Sequence, residues 1–277
     1  MSDAPGMLYI VSTPIGNLGD LSARAIDTLK QVQVVLAEDT RHSRPLLQRF
    51  RIDTPLLSYH EHNEARTADA LVARMLSGES MALISDAGTP LLSDPGARLV
   101  TAAIEAGIRV VPIPGASALL SALVASGISA QRFTFFGFLE RRGAERSSAI
   151  AEIASLSHTA VLYEAAPRVA QTLRDLSDAG AGDRLGSVAR ELTKQFEEIR
   201  RGTLDALSAY YEGSPPRGEV VIVIEGAAVV APDENAARDQ ARALRAAGVS
   251  ARDVARALVT DQGIARNVAY RLAQEED

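Results

Sequence analysis

The sequence predicts an α/β protein, two α/β domains followed by a small helical unit. Three observations carry this reading. Apolar, β-branched runs of strand length recur eight times before residue 227. Most of the segments between them place apolar residues at helical spacing, and strand–helix alternation builds largely buried sheets. After Ala231-Pro232-Asp233-Glu234-Asn235 the composition turns Ala- and Arg-rich, with helical periodicity and no strand signal. A chain of 277 residues with 47% hydrophobic and 23% charged content can bury more than one core.

The first four predicted strands are LYIVST (8–13), VQVVLAED (32–39), MALISD (81–86) and IRVVPIPG (108–115). Ser22 precedes a helical face of Ala23, Ile26 and Leu29, as a capping hydroxyl should. Asp94-Pro95 reads as the N-cap and first-turn proline of a helix carrying Leu99, Val100, Ala103 and Ile104. The break GISAQR (127–132) then separates domain 1–126 from domain 127–231. The second set of strands is FTFFGFL (133–139), TAVLYEA (159–165), LGSVARE (185–191) and EVVIVIEG (219–226). In the last unit, 232–277, three helices are predicted at 236–246, 251–260 and 264–275. Ser250-Ala-Arg-Asp253 resembles a capping sequence, and Gly248 and Gly263 are the stops. Short helices with arginine on exposed positions suit either a helix-turn-helix or a plain capping bundle.

Composition excludes several chemistries. Without cysteine there is no disulfide, thiolate metal site or cysteine nucleophile, which suits a cytoplasmic protein. Among four histidines only His60-Glu61-His62 are close, and they lack a third ligand; they read as an exposed loop, and no metal is expected. The N-terminus has no basic region before its strand-length apolar run, so neither a signal peptide nor a membrane span is expected. A net charge of −6 argues against nucleic-acid binding by the whole surface, yet the cations cluster. Residues 41–51 hold four arginines and no acid, and residues 238–272 hold seven arginines against three aspartates.

Four strand ends carry unusual turn chemistry: Ser12-Thr-Pro-Ile-Gly-Asn-Leu-Gly-Asp20, Glu38-Asp-Thr-Arg-His-Ser43, Leu83-Ile-Ser-Asp-Ala-Gly-Thr-Pro-Leu-Leu-Ser-Asp-Pro-Gly96, and Val111-Pro-Ile-Pro-Gly-Ala-Ser117. None is the GxGxxG of a dinucleotide fold, and no Walker A loop exists. Each alone could be turn-making. Together they should line one edge of one sheet, where α/β proteins keep their sites.

These stretches, with the FFGFL strand and Ala189-Arg-Glu-Leu-Thr-Lys-Gln-Phe-Glu-Glu198, resemble the ribosomal RNA small-subunit methyltransferase I family of the tetrapyrrole methylase superfamily, in order from about Met7 to Gly226. The helical tail resembles that family's C-terminal helix-turn-helix. The resemblance implies a homodimer that uses S-adenosyl-L-methionine, folded into a cleft between two α/β domains. Its substrate would be the ribose 2′-hydroxyl of a cytidine in the decoding region of 16S ribosomal RNA within the small ribosomal subunit. It further implies that Pro14, Ile15, Gly16, Asp86, Thr89, Ser117 and Ala118 line the cofactor from one domain, and Tyr163, Arg190, Gly218 and Glu219 from the other. The second Ser-Asp pair, Ser93-Asp94, is then mostly scaffold. The chain departs from the family at Tyr163-Glu-Ala-Ala-Pro-Arg168, where Pro167 replaces a histidine, and at Glu140, where proline is usual.

Methylating a hydroxyl requires alignment and either removal of its proton or stabilisation of the developing alkoxide. The candidates are Glu38, Asp39, Arg41, Glu191 and Lys194. Lys194 stands out because the chain has only one other lysine, Lys30, and uses arginine for every remaining cation. A desolvated lysine can lose its proton, which arginine effectively cannot. Arg41, Arg44 and Arg168 are the expected RNA contacts. Two alternatives share these residues: a small tetrapyrrole as acceptor, or a noncatalytic ribosome-binding protein.

Overall fold

A computed structural model describes residues 4–228 and 233–275. The chain divides into two units, Met1–Ala227 and Ala228–Asp277. The predicted boundary at 231/232 lies outside the described residues.

The first sheet contains β1 (Met7–Val11), β2 (Val34–Ala37), β3 (Leu56–Ser58), β4 (Met81–Ile84) and β5 (Arg109–Ile113). All pairs are parallel, in the order β3-β2-β4-β1-β5. The helices that follow the strands are α1 (Ala23–Gln31), α2 (Thr40–Arg49), α3 (Glu61–Leu76), α4 (Ala97–Glu105) and α5 (Ala118–Ala125). Alternate strand residues feed two cores. Leu8, Ile10, Leu36, Met81 and Leu83 join one, whereas Val11, Val35, Ala37, Ala82 and Ile84 join the other. Each large side chain buried this way contributes about 1.5–3 kcal/mol over leaving it exposed. Parallel pairing also brings the C-terminal ends of β1, β2, β4 and β5, hence all four unusual loops, to one edge.

The second sheet holds β6 (Phe133–Phe138), β7 (Thr159–Ala165), β8 (Leu185–Arg190), β9 (Glu198–Thr203) and β10 (Glu219–Ile224). Its order is β6-β7-β10-β8-β9, parallel only between β6 and β7. One face buries Leu162, Ile222 and Ile224 under α6 (Ala144–Ser155), α7 (Val169–Leu176) and α8 (Leu204–Gly213). The other face, with Val161, Val221 and Val223, packs on Leu119, Ala122 and Leu123 of α5. The α5 sequence ALLSALVA is apolar nearly all round, yet only Leu119, Ala122 and Leu123 are buried; Leu120 and Val124 are exposed.

All eight predicted strands are present, and two more were not foreseen. β3 is three residues long, and β9 (EIRRGT) is a charged strand at a sheet edge, where charges suppress unwanted pairing. Two local expectations are corrected. α4 starts at Ala97 with Gly96 as its N-cap (φ 129°), so Asp94 and Pro95 precede the helix. Leu91 and Ser93 both take positive φ (76° and 69°), which adds a turn before the helix and turns Asp94 away from capping. His60 is the N-cap of α3, with Glu61 and His62 in its first turn, rather than part of a loop.

The second unit consists of α9 (Glu234–Ala246), α10 (Ala251–Gln262) and α11 (Arg266–Gln274) around a core of Ala237, Ala241, Val254, Leu258, Ile264, Ala269 and Leu272. Asp233 caps α9 and Ser250 caps α10 through their side-chain oxygens. No helix among the described residues is long and apolar enough to cross a membrane.

Candidate active site

The loops after β1, β4 and β5 are tied to one another before they can meet any ligand. Thr13 and Gly88 exchange backbone hydrogen bonds at 2.8 and 3.1 Å, and the Thr13 hydroxyl donates to the Ser85 carbonyl at 3.1 Å. The hydroxyls of Ser12 and Thr89 lie 3.0 Å apart, and Thr89 donates to the Ala116 carbonyl at 3.1 Å. Ser117 is buried as the N-cap of α5, accepting from the Leu120 N–H. Three loops thus form one rigid floor, as a site that must align reacting atoms requires.

Above this floor, between the two sheets, lies a cavity of about 520 Å³. Its apolar walls are Ile15, Leu92, Ala118, Phe138, Tyr163 and Val221, and its polar groups include Asp86, Asp94 and Glu219. Tyr163 is wedged edge-on against Phe135 and tilted against Phe138, with ring centroids 4.9 and 5.4 Å away. A second cavity of about 360 Å³ shares Ile15, Asp86, Ala87 and Glu219 with the first. It continues past Pro14 and Gly16 to Lys194 on one side and to His42 and Pro45 of α2 on the other.

The cleft carries excess negative charge. Burial pushes the Asp94 carboxyl up to about 6, and the nearby charges of Glu38, Asp86 and Glu219 add to this while the Ser85 hydroxyl opposes it. Glu38 is also raised, first by burial and then by Asp86. Asp39 goes the other way, to about 2, because the side chain and backbone of Arg41 both donate to it. A carboxylate clamped so low is a poor proton acceptor, whereas Glu38 is shifted toward the working range. Asp86 accepts a hydrogen bond from the Asp39 N–H at 3.3 Å.

Lys194 faces this acidic region from a strained loop. Its ammonium donates to Glu191 at 3.0 Å and lies 3.9 Å from Glu219. Glu191 and Thr193 have φ of 51° and 65°, conformations that side chains other than glycine adopt only when held. The holding contacts are visible: Thr193 accepts from the Asn17 N–H at 3.1 Å and donates its own N–H to Glu197 at 2.6 Å. Two glycines make room. A Cβ on Gly16 would sit 2.5 Å from Cγ of Lys194, and one on Gly218 (φ 80°) would sit 2.0 Å from Oε1 of Glu191. Gly218→Ala is therefore expected to expel the Glu191 carboxylate and release Lys194. Activity should fall at least tenfold, with melting temperature lowered by the few degrees that about 1–2 kcal/mol of strain implies. Activity assays beside thermal melts would check this.

Other expected site residues lie elsewhere. Arg190 is paired with Glu198 at 2.7 Å and lines a separate cavity, not the cleft. Arg41 and Arg44 are exposed on α2, with Arg41 bound to Asp39. Arg168 is a brace rather than an open contact. It pairs with the fully buried Glu164 at 3.1 Å and donates to the carbonyls of Leu139 and Glu140, tying the end of β6 to β7. Asp94, Phe138 and His42 line the cleft without having been assigned to it, although the repeated Ser-Asp pair, the FFGFL strand and the Glu38–Ser43 stretch had each been singled out. No group of three or more residues suited to a metal ion occurs among the described residues.

Comparison with known proteins places the family and the fold. The profile of the Tetrapyrrole (Corrin/Porphyrin) Methylases matches residues 7–208. A ribosomal RNA small subunit methyltransferase I from Synechocystis is 44% identical over 98% of both chains. The chain belongs to this family. A Xylella fastidiosa member is 50% identical over 84% of this chain and 85% of its own. The fold extends further: a uroporphyrin-III C-methyltransferase from Thermus thermophilus, complexed with S-adenyl homocysteine, superposes with a TM-score of 0.57 at 18% identity, covering 79% of this chain and 97% of its own.

Proposed function

We propose that the protein methylates the ribose 2′-hydroxyl of a cytidine in 16S ribosomal RNA of the small ribosomal subunit, using S-adenosylmethionine, as a cytoplasmic homodimer. The observation that carries this reading is the pair of cavities sharing the Asp86 wall. One is apolar-sided and acidic, and the other leads from that acid cluster past Lys194 to open surface on α2.

S-adenosylmethionine, when bound, supplies an electrophilic methyl group on a sulfonium cation. The larger cavity fits it: Asp86, Asp94 and Glu219 face a net positive ligand, and Asp94, raised first by burial and then by its acidic neighbours, gains from a counter-charge. Ile15, Ala118, Phe138 and Tyr163 offer apolar surface to an adenosyl ring. Thr89 and Ser117 serve by locking the floor.

In the smaller cavity the Lys194 ammonium, fixed by Glu191, is the donor that stabilises the alkoxide as the hydroxyl attacks. Of Glu38 and Asp39, which lie beside Asp86 but line neither cavity, Glu38 is the better proton acceptor, because Arg41 holds Asp39 too acidic. Exposed Arg44, with Arg252, Arg256 and Arg266 around a cavity on the helical unit, supplies cations for phosphate. A macrocyclic acceptor has only the shared fold in its favour.

The test is transfer of labelled methyl from S-adenosylmethionine to unmodified small subunits. Label in 16S RNA supports the reading. Label entering a tetrapyrrole and not RNA would replace it.

A further inference from the structure

Beyond the Glu191–Lys194 pair lies a cavity of about 450 Å³ that the proposed transfer does not use. It is bordered by Arg190, Phe196, Tyr210, Tyr211, Pro215 and Arg217, with Glu191 on the side of Lys194. Phe196 is 67% exposed, unusual for a phenylalanine with nothing covering it. The guanidinium of Arg200 stacks 3.6 Å from the Tyr210 ring centroid. The acids here are already matched: Glu198 by Arg190 at 2.7 Å and Arg200 at 2.9 Å, Glu191 by Lys194 at 3.0 Å.

The hydroxyl of Tyr211, a residue that lines the cavity, is buried with no partner, and so is Nε of Arg200, which stacks on Tyr210 without lining the cavity. Tyr211 is only 2% exposed. An orphaned buried donor is costly and calls for an explanation. The Tyr211 hydroxyl can donate, so an acceptor would satisfy it. Aromatic faces with arginines and an unmet donor describe a site for an unstacked base, whose carbonyls accept and whose phosphate meets arginine.

We propose that this cavity takes a nucleotide of single-stranded substrate RNA neighbouring the methylated one. The base stacks against Phe196, a base carbonyl engages the Tyr211 hydroxyl, and Arg217 meets the backbone. The inference rests on the RNA reading of the main site, because Glu191 places this cavity one side chain from Lys194.

The full-length protein carrying Tyr211→Phe, Phe196→Ala or Phe196→Tyr tests it, by steady-state kinetics on small subunits, donor affinity and thermal melting. Tyr211→Phe should raise KM for the subunit severalfold while leaving melting temperature unchanged or higher. A purely structural hydroxyl could not produce that pairing, since removing an unpartnered group does not weaken the fold. Phe196→Ala should raise KM about tenfold, the order expected for one stacked base, with donor affinity unchanged and Phe196→Tyr near wild type. Ultraviolet cross-linking of wild type to the subunit should give an RNA adduct on Phe196 or Tyr210. Unchanged KM in both variants, or adducts only elsewhere or to ribosomal protein, would overturn the proposal. If wild type binds RNA through Phe196 but transfers no methyl, the catalytic reading fails and the nucleotide site stands; if it binds no RNA, both fall.

Discussion

Lys194→Met lowers kcat for methyl transfer by about 10²–10³-fold, the cost of removing one preorganised donor to a developing oxyanion, and leaves the affinity for S-adenosylmethionine within about twofold. The expectation follows from placement. Lys194 lines the smaller cavity and is absent from the larger, so it meets the acceptor oxygen rather than the donor's bulk. Methionine keeps the aliphatic stem against Gly16, so packing survives and the loss is chemical. Single-turnover rates together with calorimetric donor binding would check it. A comparable loss in donor affinity would move Lys194 into the cofactor site.

Asp94→Asn weakens donor binding and removes its pH dependence. In the free protein the Asp94 carboxyl titrates at about 6, raised by burial and neighbouring carboxylates. Above that pH it is ionised, at a cost to the free protein that a bound cation offsets. Below it the carboxyl is protonated and the attraction is lost. Donor affinity should therefore fall as pH drops through 6, by up to about tenfold per unit for one linked proton. Stability has the opposite sign: a raised carboxyl favours folding as pH falls from about 6 toward its ordinary value, and costs stability above. Asp94→Asn should accordingly raise the melting temperature of the free protein at pH 8 while lowering its donor affinity there. Calorimetry between pH 5 and 8 on both proteins measures this; parallel pH curves would show that Asp94 is not the titrating group.

Most of the fold is readable in the chain because its strands are covered on both faces and so appear as unbroken apolar runs. β3 and β9 escape this signal for opposite reasons, one too short and the other charged along a sheet edge. The four loops could be gathered into one cleft from sequence because parallel strands deliver their C-terminal ends together. Side-chain destinations were harder. Asp94-Pro95 has the composition of a helix start, but the positive φ of Leu91 and Ser93, which nothing local signals, carries Asp94 into the cleft. Arg168 looks like a free cation until its partner is known, and that partner, Glu164, is fully buried four residues earlier. The strain at Glu191 and Thr193 is likewise invisible in ELTKQ and becomes intelligible only with Asn17 and Gly218 packed around it.

The most direct test of the account is to map the methyl group itself, by alkali resistance and nuclease digestion with mass spectrometry of 16S RNA from small subunits incubated with the protein and S-adenosylmethionine. The account predicts a single 2′-O-methylated cytidine, absent when Lys194→Met replaces the wild type. Methylation on a base, or none on RNA while the donor binds tightly, would contradict it.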